Sequence, residues 1–346
     1  MRFAVKTSIL SKRWRYIWTS LPTLSFTSSE YDGRPFCPWG SRKWIQPTFF
    51  ENFVDNALIL RNQKSDINKF GLSWYLDRHI ETDTIRNHLN TWINAALNRD
   101  VAILSVDIGG LLGSDTSELI DSKSEIFRHQ FTSKLFNCAT LTKLKLKVDI
   151  QIYDAEIGDY CKDYLSKINF PKPVHLPCLS VLKLDSIVID NANSLFLGTP
   201  VLEYLSIKGC KISIDNCSDM DWFGILSLTL KYFELKNCIM PKKIKLNVPN
   251  LQTLVCEDYT WHEYSMENIS SLVCARIEML DFSSQGDGDH YLKLPEHEKK
   301  LCATRAMDFL KALDTVNELQ LSPGILENLF TSNIILNEDY TEHRIS

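Results

Sequence analysis

The stretch PVLEYLSIKGC, Pro200 to Cys210, constrains the fold more than any other part of the sequence. Leu202, Leu205, Ile207 and Cys210 spell L-x-x-L-x-L-x-x-C, the strand segment of a leucine-rich repeat. A strand sends alternate side chains to opposite faces, so Leu205 and Ile207 point inward while Tyr204, Ser206 and Lys208 point outward. One such strand cannot bury its apolar side alone. It needs neighbouring copies stacked on it to share a continuous core.

The template can be laid on eight further stretches, whose middle residues are Phe70, Leu104, Leu144, Leu182, Phe233, Leu254, Ala275 and Leu319. From Leu182 through Leu205, Phe233 and Leu254 to Ala275 the steps are 23, 28, 21 and 21 residues, within the repeat period of roughly 20 to 29. The outer steps of 34, 40, 38 and 44 carry insertions. A closing cysteine recurs at Cys210 and Cys238. These features predict an α/β leucine-rich-repeat solenoid, a curved parallel sheet with helices and loops outside; the competing reading is an ordinary α/β domain with a parallel sheet.

At 346 residues and 44% hydrophobic content the chain can bury a large core, and an elongated array can remain one domain at this length. The net charge of −5 argues against general binding to nucleic acid or a membrane surface. The ten cysteines form no C-x-x-C and pair with no histidines at zinc spacing, so they read as buried free thiols. Together with the lack of a signal peptide, this points to a reducing compartment, cytoplasm or nucleus. No apolar run approaches the roughly 18 residues of a membrane span.

Residues 1 to 29 hold Arg2, Lys6, Lys12, Arg13 and Arg15 and no acid. Val5, Ile9, Leu10, Trp14 and Trp18 recur at helical spacing. A transit peptide does not need two tryptophans in LSKRWRYIWTSLP, and a nucleic-acid arm would extend its basic groups beyond Arg15. A docking helix that buries apolar anchors in another protein fits better. Gly33, Pro35, Pro38, Gly40 and Pro47 then mark an irregular connection. Phe49, Phe50, Phe53, Val54, Ala57 and Leu58 form an apolar stripe that predicts a helix capping the array. Ile85, Leu89, Trp92, Ile93 and Ala96 predict a second helix. Leu301, Met307, Leu310 and Leu313 are the expected core contacts of a third, near the C-terminus.

No catalytic motif stands out. There is no G-x-S-x-G elbow, phosphate loop or G-x-G-x-x-G, and Gly109, Gly110 and Gly113 read as a strand-end turn. Asp287, Asp289, His290, Glu296 and His297 lack the spacing of an EF-hand or a helical zinc site and read as a solvated loop. No catalytic residue, cofactor or metal is expected, and the chain reads as a binding protein.

AVKTSILSKRWRYIWTSLPTLSF, Ala4 to Phe26, closely resembles the second half of the F-box of plant F-box proteins that carry leucine-rich repeats; Leu10, Ser11, Lys12, Arg13, Trp14, Trp18, Leu21 and Pro22 follow the family's order. LFNCATLTKLKL, LPCLSVLKLDSIVI, FLGTPVLEYLSIKGC and VPNLQTLVCEDY resemble its successive repeats. The resemblance implies three parts: a partial F-box over 1–26, an irregular linker over 27–48, and the repeat array with its capping helix over 49–346. It implies a substrate-recognition subunit of an SCF-type ubiquitin ligase. Leu10, Ser11, Trp14, Trp18, Leu21 and Pro22 would dock on the Skp-type adaptor, and the repeats would bind a target protein. A family F-box begins earlier than this chain does, so the alternative is a stand-alone repeat scaffold, or a truncated gene product, without ligase recruitment.

On the expected concave face Lys143, Lys145, Lys147 and Lys183, with Tyr204 and Lys208, precede an acidic series at Glu234, Glu257, Glu278 and Glu318. Asp185, Lys236 and Arg276 depart from this series. The charges either solubilise exposed strands, or the basic stretch from Lys143 to Lys208 engages an acidic segment or phosphate group of the target.

Overall fold

All nine template stretches form strands in the computed structural model. It describes residues 1–30, 48–76, 82–112, 133–154, 159–161, 166–169, 173–190, 192–213, 222–241, 243–259, 262–280, 295–314 and 316–322. Most of the linker, Gly113, and the loop holding Asp287, Asp289 and His290 lie outside them. The chain divides into two units, Met1–Val201 and Leu202–Ser346. Together they have the α/β parallel-strand architecture of leucine-rich repeats.

The first unit runs α1 (Arg2–Lys6), β1 (Thr23–Thr27), α2 (Thr48–Ile59), β2 (Lys69–Leu76), α3 (Thr82–Leu97), β3 (Ile103–Leu112), β4 (Lys143–Asp154), β5 (Asp159–Cys161), β6 (Ser166–Asn169), β7 (Val181–Asp185), β8 (Ile187–Asp190) and α4 (Ala192–Leu197). Strands β1, β2, β3, β4 and β7 pair in parallel in that order, and β5 adds antiparallel to the end of β4. The register sets Leu24, Phe70, Leu104, Leu144 and Leu182 opposite one another, so the middle positions of the template form one buried row. β1 is an addition to the sequence reading. Leu21, Leu24 and Phe26 also fit the template, and the strand they form opens the sheet before the connection rather than closing the docking segment.

Helix α3 buries Ile85, Leu89, Trp92, Ile93 and Ala96 as its periodicity predicts. In α2 the buried stripe is Phe50, Val54, Ala57 and Leu58, whereas Phe49 turns outward. Trp74 of β2, Trp92 and Phe50 pack together, with the two indoles 5.0 Å apart. The Trp92 Nε1 donates to Asp55 Oδ1 at 2.6 Å, which gives the buried indole its needed acceptor. Gly109 and Gly110 lie inside β3, not in a turn.

The second unit continues β9 (Tyr204–Lys208), β10 (Lys211–Ser213), β11 (Trp222–Leu226), β12 (Tyr232–Lys236), β13 (Lys243–Asn247), β14 (Thr253–Tyr259), β15 (Glu263–Glu267), β16 (Cys274–Leu280), α5 (Glu296–Lys311) and β17 (Glu318–Leu321). Strands β9, β12, β14, β16 and β17 pair in parallel, with Leu205, Phe233, Leu254, Ala275 and Leu319 in one row. After β9 and β12 the chain turns through Gly209 and Asn237, at φ of 56° and 50°, a left-handed corner that glycine and asparagine tolerate best. Cys210 and Cys238 follow these corners fully buried, each thiol donating to the carbonyl two residues back at 3.2 Å. β11, β13 and β15 make a second parallel sheet that the template does not reveal. Helix α5 packs against β15 and buries Cys302, Ala303, Ala306 and Phe309, and Leu313 is buried in the turn that follows it. Of the expected contacts, Leu301 is instead exposed and Met307 and Leu310 are half-buried, because the seam follows Phe309, whose ring packs tilted against Tyr264 with centroids 4.4 Å apart.

Candidate target-binding faces and docking segment

In the first unit the outward strand positions form registered rows. Ser73, Asp107 and Lys147 are one row; Gly71, Ser105, Lys145 and Lys183 another; Tyr75, Gly109 and Asp149 a third. Lys145 is half-buried and its ammonium lies 3.7 Å from Asp107. Lys143 is exposed, Lys147 is half-exposed beside Asp185, and neither makes an ion pair among the described residues. Lys183 is exposed in the neighbouring strand.

The outward face of the second unit is more tightly built. The Tyr204 and Tyr232 rings stack with centroids 4.2 Å apart and planes 4° from parallel. Burial raises the Tyr232 phenol pKa, and the hydrogen bond with Tyr204 and the charge of Glu234 reinforce it. Beside this stack Ser206 and Glu234 are buried although they sit on the outward side. The Ser206 hydroxyl donates to Glu234 Oε2 at 2.8 Å, and Lys208 meets Oε1 at 2.9 Å. Lys236 lies 3.9 Å from Glu234 and 3.3 Å from Glu257, and Asn237 donates to Glu257 at 2.7 Å. Farther along, Arg276 donates to Gln320 at 2.7 Å.

Lys208 is therefore the counter-charge of a buried carboxylate rather than a free cation. Glu234 and Tyr232 complete a constellation that sequence reasoning saw only through Tyr204 and Lys208. The missed signal is cross-strand: Glu234 registers with Ser206, and Tyr232 with Tyr204, across a gap of 28 residues.

Burial alone would raise the Glu234 pKa, yet the hydrogen bonds from Lys208 and Ser206 and the charges of Lys208 and Lys236 outweigh it and hold it below its ordinary 4.5. A lowered folded value means the stabilisation is fully present above pH 4.5 and is lost as pH falls through the lowered value. Wild-type melting temperature should drop over that acidic range, and Glu234→Gln should show a shallower drop. Parallel acid slopes for the two proteins would remove Glu234 as the cause.

The N-terminal segment is a chain of short turns: α1, a 3-10 turn at Thr7–Ile9 and another at Ile17–Ser20. Its face is apolar and open, with Phe3, Ile9, Leu10 and Tyr16 each about 70% exposed or more and Trp14 at 46%. Ser11 and Pro22 are exposed and Leu21 half-buried, while Trp18 is buried. The main chain beside Trp18 is tied to the array: Asn62 N–H donates to Thr19 O at 3.0 Å, and Lys69 N–H to Pro22 O at 3.1 Å. Trp18 thus anchors the segment, and Leu10 and Trp14 are the members of the docking set that present large apolar surface.

Against known proteins, this chain is 31% identical over 280 residues to an F-box/LRR-repeat protein of Arabidopsis thaliana, covering 80% of this chain and 54% of that one. A second Arabidopsis F-box/LRR-repeat protein is 29% identical over 344 residues, 94% of this chain and 56% of its own length. The chain is similar to plant F-box/LRR-repeat proteins over most of its length. An Arabidopsis FBD-associated F-box protein is also similar, at 28% identity over 331 residues, 94% of this chain and 61% of that protein. The chain spans somewhat more than half the length of these F-box/LRR-repeat relatives. No family model matches it, and no solved structure does. Among the described residues no group of three His, Cys, Asp or Glu could hold a metal ion, and no helix is long and apolar enough to cross a membrane.

Proposed function

We propose that the chain is a substrate-recognition subunit of an SCF-type ubiquitin ligase, its N-terminal segment docking on a Skp-type adaptor and its outward strand faces holding a target protein. The observation that carries this reading is the N-terminal segment itself. Leu10 and Trp14 stand exposed on a scaffold fixed by buried Trp18, the arrangement of an interface waiting for its other half. The likeness to proteins named F-box/LRR-repeat supports it. On the target side, Lys143 and Lys147 of the first unit offer cations for an acidic segment or phosphate group, with Lys145 and Lys183 as their flanking positions, and Tyr204 and Lys208 are the candidate target contacts of the second unit. Cys138, Cys178, Cys210, Cys238, Cys256, Cys274 and Cys302 form no disulfide, in keeping with work in the cytoplasm or nucleus.

An immobilised Skp-type adaptor should retain the chain, and Leu10→Asp combined with Trp14→Ala should cut retention at least about tenfold, as loss of hot-spot anchors does. The melting temperature should stay nearly unchanged, since both residues are exposed. Equal retention of variant and wild type would overturn the docking assignment. Failure of the wild-type chain to be retained would favour the stand-alone repeat scaffold.

A further inference from the structure

The outward face of the first unit holds a notch of about 310 Å³ at the C-terminal ends of β2, β3 and β4. Its cause is Gly109. The register sets Tyr75 on one side of it and Asp149 on the other, so the row reads aromatic, nothing, carboxylate. The missing side chain opens a gap floored by backbone, with the Tyr75 ring as one wall and the exposed Asp149 carboxylate as the other. Asp107 is two residues back on the Gly109 strand.

We propose that this notch receives an arginine side chain of the bound target, an inference that rests on the target-binding reading above. A guanidinium is planar and cationic. It can lie over a tyrosine face while its fork of N–H donors meets a carboxylate. Tyr75 and Asp149 supply those two partners across a gap one side chain wide. At about 310 Å³ the space is at the small end of ligand pockets and has room for an arginine side chain. The backbone that carries the ring is set in advance: the Tyr75 main-chain N–H donates to the buried Ser28 hydroxyl at 2.9 Å, and Trp74 beside it is buried in the core. Asp149 makes no ion pair among the described residues, so its charge is available. The opposing cation is Lys147, which stands in register between Asp107, the partner of Lys145, and Asp185. A carboxylate-bearing ligand would have to face Asp149 and Asp107 together, which the notch disfavours.

The test is titration of the full chain with N-acetyl-arginine amide and with its neutral isostere N-acetyl-citrulline amide, read by calorimetry and ligand-observed NMR. Arginine should bind at least about tenfold more tightly than citrulline. Asp149→Asn and Gly109→Val should each abolish that preference, and Lys147→Ala should strengthen arginine binding. A Cβ at Gly109 meets only ordinary contacts, 3.5 Å to Asp149 O and 3.7 Å to Tyr75 Cδ2, so the filled notch should leave the melting temperature in place. Asp149→Asn keeps the test sharp should the valine disturb the strand. Equal binding of the two amides, an unchanged preference in Asp149→Asn, or weaker arginine binding in Lys147→Ala would overturn the proposal. Arginine binding that persists in a chain capturing no target would leave the notch standing and sink the target reading. Capture of an identified target unaffected by Gly109→Val would do the reverse.

Discussion

Leu205→Asp should cost the second unit most or all of its stability. Leu205 is fully buried, facing Phe233 in the next strand and within the row that runs on to Leu254. Losing its apolar burial costs about 1.5–3 kcal/mol. Setting a carboxylate in that layer with no partner adds several kcal/mol more, or forces the acid to take up a proton. Whole domains are held by about 5–15 kcal/mol, so the sum is comparable with the total. Thermal and urea melts should show a lost or strongly lowered transition. Lys208→Ala, three residues on, should cost less, yet not nothing, because it strips the nearest cation from buried Glu234. Equal melts for the two variants would invert the inward and outward assignment of the strand.

The array was legible because its inward residues obey two nested periods, alternation within a strand and a near-constant step between strands. Leu205, Phe233 and Leu254 could be aligned on paper and stand opposite one another in the sheet. β1 escaped because Leu21, Leu24 and Phe26 overlap a string that also reads as a docking motif, and one segment can serve both. β11, β13 and β15 escaped for a different reason. Pairs such as Phe223 with Ile225, or Ile244 with Leu246, are too short a pattern to separate a strand from chance. Helix α5 was placed but rotated, since Leu301 and Phe309 offer two apolar phases and only packing against Tyr264 selects one.

The site was less legible than the fold, and the reason is the same on both faces. Ser206 and Glu234 look like solvated surface in their own strands; each is covered only because the next repeat supplies a neighbour. Likewise Gly109 carries no signal by itself. It becomes a notch only when the register brings Tyr75 and Asp149 to its two sides. In a stacked sheet the chemistry of a face belongs to rows across strands, whereas sequence motifs run along them.

Gly110→Ala should be the second large effect, and its contrast with the adjacent glycine makes it a sharp one. Gly110 has φ of 144°, a conformation costly for any residue with a Cβ. An added Cβ would lie 2.3 Å from Leu76 O and 2.7 Å from Leu76 N, both backbone atoms. They cannot retreat without breaking the pairing of Leu76 with Gly110 at the end of β2. Overpacking of this kind costs about 1–3 kcal/mol, and the backbone strain adds about 1–3 kcal/mol. Gly109→Ala, one residue earlier, meets no contact closer than 3.5 Å and should be nearly neutral. Urea melts of the two variants should therefore differ by several kcal/mol although both make the same chemical change. Matching melts would show that the Leu76 main chain does not confine Gly110 at the end of β2.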